Sequence, residues 1–203
     1  MEPTILIADD HSMIRKGLKL FMQLNLGFQQ IKEVGSCNEL MKELVKNKYS
    51  HLILDIILTD GSTLEVIPNI RRVYPDLKIM VFSMQPQDIY AEALKQYGIN
   101  SYLSKNLSEE EILSFLEQFI KNNDPLPNKP STISQLNPFI QLAPRELEVL
   151  HYLLKGMRTK QIGETLNLKM STVSTIKHRV YEKTGAGNIK ELLEMATLYN
   201  VNY

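Results

Sequence analysis

Over residues 4–121 the chain alternates two periodicities, and that alternation constrains its fold more than any other feature. Short runs rich in Ile, Val and Leu occupy residues 4–8, 30–34, 51–54, 78–82 and 101–103. Each is followed by a stretch of helical spacing, at residues 12–24, 38–46, 62–73, 87–96 and 108–121. In the first of these, Met13, Leu20 and Leu24 fall near helical spacing and predict the apolar face, with Ser12 as N-cap. The last opens with Ser108 as cap, and Glu109, Glu110 and Glu111 favour the positive end of the helix. Strand followed by helix, five times in succession, predicts an α/β fold: a doubly wound parallel sheet covered on both faces.

In such sheets ligands bind beyond the carboxyl ends of the strands. The first strand runs into Asp9 and Asp10, the third into Asp55, the fourth into Ser83 and the fifth into Lys105. Adjacent aspartates repel each other, and taken alone the pair reads equally as a cation site or a helix cap. Three carboxylates, a hydroxyl and a lysine at strand ends favour the site. Carboxylates of this kind suit Mg²⁺, which takes a few of them together with water and phosphate oxygens. A carboxylate beside the ion can attack a phosphoryl group, and the lysine and hydroxyl can then hold the phosphoryl oxygens. Asp60-Gly61 reads as a turn, His11 as a loop residue near the acids, and His51 as structural.

Four of the nine prolines fall in residues 123–141, which predicts a Pro-rich linker between a first domain of residues 1–122 and a second of 142–203. The second is helical throughout: from Pro144 to Lys155, then 159–166, 171–184 and 189–199, with a tight turn at 167–170 as in a helix-turn-helix. It carries nine Lys or Arg against six Glu, whereas the whole chain is neutral; this permits a nucleic-acid partner. No apolar run approaches a membrane span, a strand pattern begins within five residues of the start, and Cys37 is the one cysteine. These features point to the cytoplasm and away from a membrane. Cys37 reads as a small residue at least half buried.

The stretches IADDH, LILDIILTDG, VFS and SYLSK resemble the receiver domain of two-component response regulators, over residues 3 to about 122. The resemblance implies a flavodoxin-like five-stranded receiver in which a sensor histidine kinase phosphorylates Asp55. Asp9, Asp10, Asp55 and the backbone carbonyl of Ile57 would hold Mg²⁺. Ser83 and Lys105 would contact the phosphoryl group, and Tyr102 matches the aromatic that such domains reorient. Four positions depart from the pattern. Thr59 and Asn106 stand where proline is common, and Thr59 implies a looser loop after the phosphoacceptor. Ser101 replaces a small glycine. Met84 follows Ser83 where a small residue is usual, and would overhang the phosphorylation site as a further switch element.

In the helix of residues 171–184, Val173, Ile176, Val180 and Tyr181 are spaced to pack inward. The other face presents Ser174, Thr175 and His178 to base edges, with Lys177, Arg179 and Lys183 for phosphates. The stretches LAPRELEVL, GMRTKQIGETLNL, STVSTIKHRVYEKTG and NIKELLEMA resemble the LuxR-type helix-turn-helix of NarL/FixJ regulators. That resemblance implies a reading helix in the major groove. It also implies a homodimer on double-stranded DNA with two half-sites, paired through Leu192, Leu193 and Met195 on the last helix. Core packing is the alternative for those three. Ala143, Ile176 and Lys169 depart from the pattern, so base preference is not carried over.

Together these readings describe a transcription regulator switched by phosphorylation, whose own chemistry is confined to phosphoryl uptake and slow loss at Asp55. A phosphatase would need a general acid two residues past its nucleophile, where this chain has Ile57. A receiver fold that binds DNA or protein without regard to phosphate is the remaining alternative.

Overall fold

The predicted runs form one parallel sheet, whose inner strands are buried on both faces. The computed structural model describes residues 2–85, 87–121, 137–199 and 201; most of the expected linker and the last residues of the chain lie outside them. The strands are β1 (Ile5–Ala8), β2 (Ile31–Val34), β3 (His51–Leu54), a short antiparallel ribbon of β4 (Ile57–Leu58) and β5 (Gly61–Ser62), β6 (Lys78–Ser83) and β7 (Ser101–Ser104). The sheet order is β2-β1-β3-β6-β7. It reverses direction between β1 and β3, and there the carboxyl ends open a crevice. Ala8 pairs with Leu54 in register, so Asp9 and Asp55 emerge side by side. The N–H of Asp55 donates to the Ala8 carbonyl at 2.8 Å and extends the ladder by one bond.

Helices α1 (Ser12–Leu26), α2 (Cys37–Lys46), α3 (Ile67–Val73), α4 (Gln87–Lys95) and α5 (Glu109–Lys121) follow in chain order. Two details of α1 differ from expectation. Ser12 is the first helical residue, His11 takes the cap position, and no side chain caps the helix. The face turned to the core is Leu18 and Met22, whereas Met13, Leu20 and Leu24 are 78%, 56% and 75% exposed. Helix α2 is capped twice over. Ser36 accepts from the Glu39 N–H, and Asp60 accepts from the N–H groups of Cys37 and Asn38 at 2.6 and 3.0 Å, so the Asp60-Gly61 turn anchors a helix. Cys37 is half buried, and burial with Asp60 beside it pushes its thiol up to about 12, which leaves it inert.

The chain forms two compact units. One holds the sheet with α1, α2, α3 and α5; the other holds α4 and the C-terminal helices α6 (Pro144–Leu154), α7 (Thr159–Thr165), α8 (Met170–Thr184) and α9 (Ile189–Leu198). In the second unit α4 packs against a 3-10 helix at Pro138–Gln141 and against α6. Those 3-10 residues, expected in the linker, fold because Phe139 is fully buried. The α7–α8 turn depends on Gly163: a Cβ there would stand 2.8 Å from the Leu168 carbonyl oxygen, and that backbone cannot give way. Asn167 supplies the left-handed residue of the turn at φ 51°.

Each unit buries one histidine. His51 opens β3, shares a hydrogen bond with the Ser50 hydroxyl and meets the Phe119 ring edge-on. His151 lies within α6 against Tyr152. Burial first, then a nearby lysine, lowers each from 6.5 to about 4. Both imidazoles are therefore neutral in the folded chain at pH 7. Between pH 6.5 and 4 the unfolded chain binds the extra protons, so stability is full above that window and falls as the pH drops through it. We expect a loss of about 2 kcal/mol per histidine between pH 7 and pH 5. Urea denaturation at the two values measures it, and His51→Gln should flatten the dependence for the first unit.

Candidate functional site

Strand ends bring the predicted side chains together. Asp9 follows β1, Asp55 follows β3, Ser83 closes β6 and Lys105 follows β7. The Lys105 N–H donates to the Ser83 carbonyl at 2.9 Å, so the sheet ladder itself sets the lysine's position. The Ser83 hydroxyl donates to Asp55 Oδ1 at 2.7 Å, and the Ile56 N–H donates to the same oxygen at 2.7 Å. Lys105 Nζ lies 2.5 Å from Asp55 Oδ2 and 2.6 Å from Asp9 Oδ2. All three side chains of this bridge are at least 93% buried. Buried carboxylates cannot sit so close without a counter-charge, and the ammonium supplies it.

Asp10 and His11 complete the cluster on its open side. His11 Nδ1 is 2.5 Å from Asp10 Oδ1, and the His11 N–H donates to Asp9 Oδ1 at 2.8 Å. One ligand atom each from Asp9, Asp10, His11 and Asp55 lies within 4.8 Å of the others, which suits a divalent cation. A lysine ammonium already neutralising two of these acids indicates that the site is built for positive charge. Tyr102 is buried on β7, Met84 is 47% exposed directly after Ser83, and Ile57 begins the β4–β5 ribbon.

The loop after Asp55 is not loosened by Thr59. Its N–H and hydroxyl both donate to the Gly35 carbonyl, at 3.4 and 3.1 Å. Thr63 was not singled out by sequence, yet its hydroxyl donates to the carbonyls of Asp55 and Ile56 at 2.9 and 3.1 Å. No motif marks it, because the ribbon that returns it to Asp55 is only two residues per strand.

In the second unit Val173, Ile176 and Val180 of α8 are buried as expected, and Tyr181 is half buried. Ser174, Thr175, His178 and Arg179 are exposed, and Lys177 is partly so, with its ammonium over the Tyr181 ring. The Thr175 hydroxyl donates back to the Ser171 carbonyl, which leaves its methyl group outward. Lys183 differs from its predicted use: its ammonium pairs with Glu146 at 2.7 Å and donates to the Gln141 carbonyl at 3.2 Å. Glu146 in turn accepts from the Ala143 N–H at 2.8 Å, the half of a capping box that does not need the hydroxyl Ala143 lacks. Leu192 is wholly buried, which assigns it to the core and leaves Leu193 and Met195 half exposed. Sequence reasoning missed Arg145. With Ser171, Thr172, Thr175 and Arg179 it lines a cavity of about 420 Å³ beside α8, and only the packing of α6 on α8 brings it there.

Residues 5–117 match the family described as response regulator receiver domain, and residues 141–196 match the bacterial regulatory proteins of the luxR family. The Fimbriae Z protein of Escherichia coli K12 is 29% identical, over 99% of this chain and 100% of its own. The oxygen regulatory protein NreC of Staphylococcus haemolyticus is 26% identical over 95% of each chain. Among solved structures, RcsB of Salmonella enterica serovar Typhimurium, bound to promoter rprA in the presence of phosphomimetic BeF3−, has a TM-score of 0.79. It is 23% identical and covers 97% of this chain and 99% of its own.

Lys105→Met should remove the counter-charge and leave two buried carboxylates facing each other. A loss of about 3–5 kcal/mol in EDTA is expected, with part recovered by millimolar Mg²⁺. Denaturant titration with and without the metal measures both effects. Unchanged stability in EDTA would mean the acids do not depend on the ammonium.

Proposed function

The chain belongs to the response-regulator family, and from that premise we propose that it is a transcription regulator switched by phosphorylation of Asp55. The observation that carries this reading is the convergence of Ser83 Oγ and Lys105 Nζ on the two oxygens of one buried carboxylate. An oxygen of Asp55 attacks the phosphorus of a phosphohistidine on the partner kinase. The P–N bond breaks, its electrons stay with the imidazole, and an acyl phosphate forms on Asp55. Ser83 donates a hydrogen bond to the phosphoryl group, and the Lys105 ammonium offsets its negative charge. Bound between Asp9, Asp10, Asp55 and the Ile57 carbonyl, Mg²⁺ would neutralise charge on the phosphoryl oxygens. Buried Tyr102 lies on the strand adjacent to Ser83 and would follow its movement.

The receiver, taken as residues 1–122, is joined by a linker of 123–141 to a DNA-binding domain of 142–203. In that domain α8 enters the major groove. Ser174, Thr175 and His178 meet base edges, while Lys177 and Arg179 meet the backbone. Lys183 is left out of that set by its pairing with Glu146. A homodimer, with Leu193 and Met195 among its contacts, would read two half-sites in the cytoplasm.

Incubation with acetyl phosphate and Mg²⁺, followed by intact mass measurement, should add one phosphoryl group to the wild type and none to Asp55→Asn. DNA affinity should rise on labelling of the wild type alone. A labelled Asp55→Asn would overturn the assignment. Met84 is 47% exposed and directly follows Ser83, and we propose that its unbranched side chain covers the approach of a water in line with the acyl phosphate bond. Its side chain slows hydrolysis, so Met84→Ala should shorten the lifetime of the labelled protein. Equal half-lives would reduce Met84 to packing.

A further inference from the structure

We infer that α8 selects its DNA half-site by thymine methyl groups, read by the side chain of Met170 and the methyl of Thr175. The inference rests on the reading of α8 as the helix that enters the major groove, and not on the phosphoacceptor assignment. Met170 is the first residue of α8 and is 59% exposed, whereas Val173, Ile176 and Val180 of the same helix are buried. A single methionine on an ordinary surface calls for no explanation. This one shares a face with exposed Ser174 and His178, because steps of four residues put all three in one row along the helix. Helix-turn-helix proteins make their base contacts from the N-terminal part of the reading helix, which is where Met170 stands. No side chain caps that end of α8, and a DNA phosphate can complete it.

What this face lacks decides what it can read. Base pairs are told apart best by paired hydrogen bonds, from Arg or Lys to guanine and from Asn or Gln to adenine, or by a carboxylate accepting from cytosine. The first two turns of α8, residues 170–177, contain no Arg, Asn, Gln, Asp or Glu. Their one lysine, Lys177, holds its ammonium 5.6 Å from the centre of the Tyr181 ring. The hydroxyls of Ser171 and Ser174 can donate or accept, so each fits more than one base edge. The Thr175 hydroxyl is committed to the Ser171 carbonyl at 3.0 Å, which turns its methyl outward.

Discrimination therefore falls to the two apolar points, and the major groove presents one apolar group, the C5 methyl of thymine. The unbranched thioether of Met170 can adapt its shape to that methyl. Met170 and Thr175 are five residues apart, about 7.5 Å along the helix axis, or about two base-pair steps for a helix that follows the groove. The half-site thus carries two thymines at about that separation, with the serine and histidine contacts between them.

The test is selection of the full chain, before and after treatment with acetyl phosphate and Mg²⁺, on a random-sequence duplex library, followed by affinity measurements on the selected duplex. Deoxyuridine in place of a contacted thymine removes the methyl alone. Each lost methyl should weaken wild-type binding about fourfold per half-site, as exposure of one buried methyl implies. Met170→Ala should make one of the two positions indifferent to deoxyuridine. Thr175→Ser, which keeps the hydroxyl bond, should do so at the other. With cytosine placed at either position, 5-methylcytosine should restore about fourfold for the wild type and nothing for the matching variant. Deoxyuridine without effect at every position, or with equal effect on the wild type and both variants, would overturn the inference and leave base reading by α8 standing. A chain that binds random duplexes yet enriches no sequence overturns base reading by α8 itself, and the inference with it.

Discussion

One ammonium holds together the acidic cluster at the carboxyl edge of the sheet. Lys105 bridges Asp9 and Asp55, which sheet pairing has placed at neighbouring strand ends. Neither carboxylate has enough water to be stable as an anion alone, and together they repel. The lysine reaches them only because β7 pairs with β6 and β6 with β3, which carries Lys105 across the carboxyl edge to the β1–β3 crevice. Site and sheet order therefore presuppose each other. A cation and a phosphoryl group entering this cluster would rearrange charge that is already balanced, so their arrival is felt by every residue the lysine touches.

Rigidity around Asp55 comes from small devices. Thr59 and Thr63 tether the loop through hydroxyls to backbone carbonyls, in place of the ring of a proline. Asp60 spends its carboxylate on the first N–H groups of α2. Asp55 is thus held by a frame whose polar groups are mutually satisfied, which favours movement at Ser83 and Lys105 over movement of the loop.

The second unit follows a different economy. Helix α8 buries Val173, Ile176 and Val180 and leaves the opposite face polar. Glu146 links the start of α6 to the end of α8 through Lys183, and the tie spends a charge that the helix would otherwise offer to a partner. Arg145 likewise pairs with Glu148 and donates to the Leu166 carbonyl at 3.3 Å, and Arg179 remains at the rim of the cavity between these helices. Charge in this unit is therefore divided between holding the helices in place and facing outward.

The sequence by itself determined the element pattern and the constellation of the site. Strands buried on both faces read as apolar runs, and a parallel sheet must place their ends on one edge, so Asp9, Asp55, Ser83 and Lys105 were legible as a group. Buried positions of α8 were legible too, because one apolar stripe on a helix leaves a single choice of inward face. Helix α1 offered two. Met13, Leu20 and Leu24 obey helical spacing as well as Leu18 and Met22 do, and only packing against the sheet decided that the second pair turns inward. Tertiary structure alone also committed Lys183 to Glu146, Leu192 to the core and Thr63 to the Asp55 backbone. Local periodicity reports which side chains share a face; which face meets a partner, and which charge finds another, depends on residues distant in the chain, and there only the fold brings them within reach.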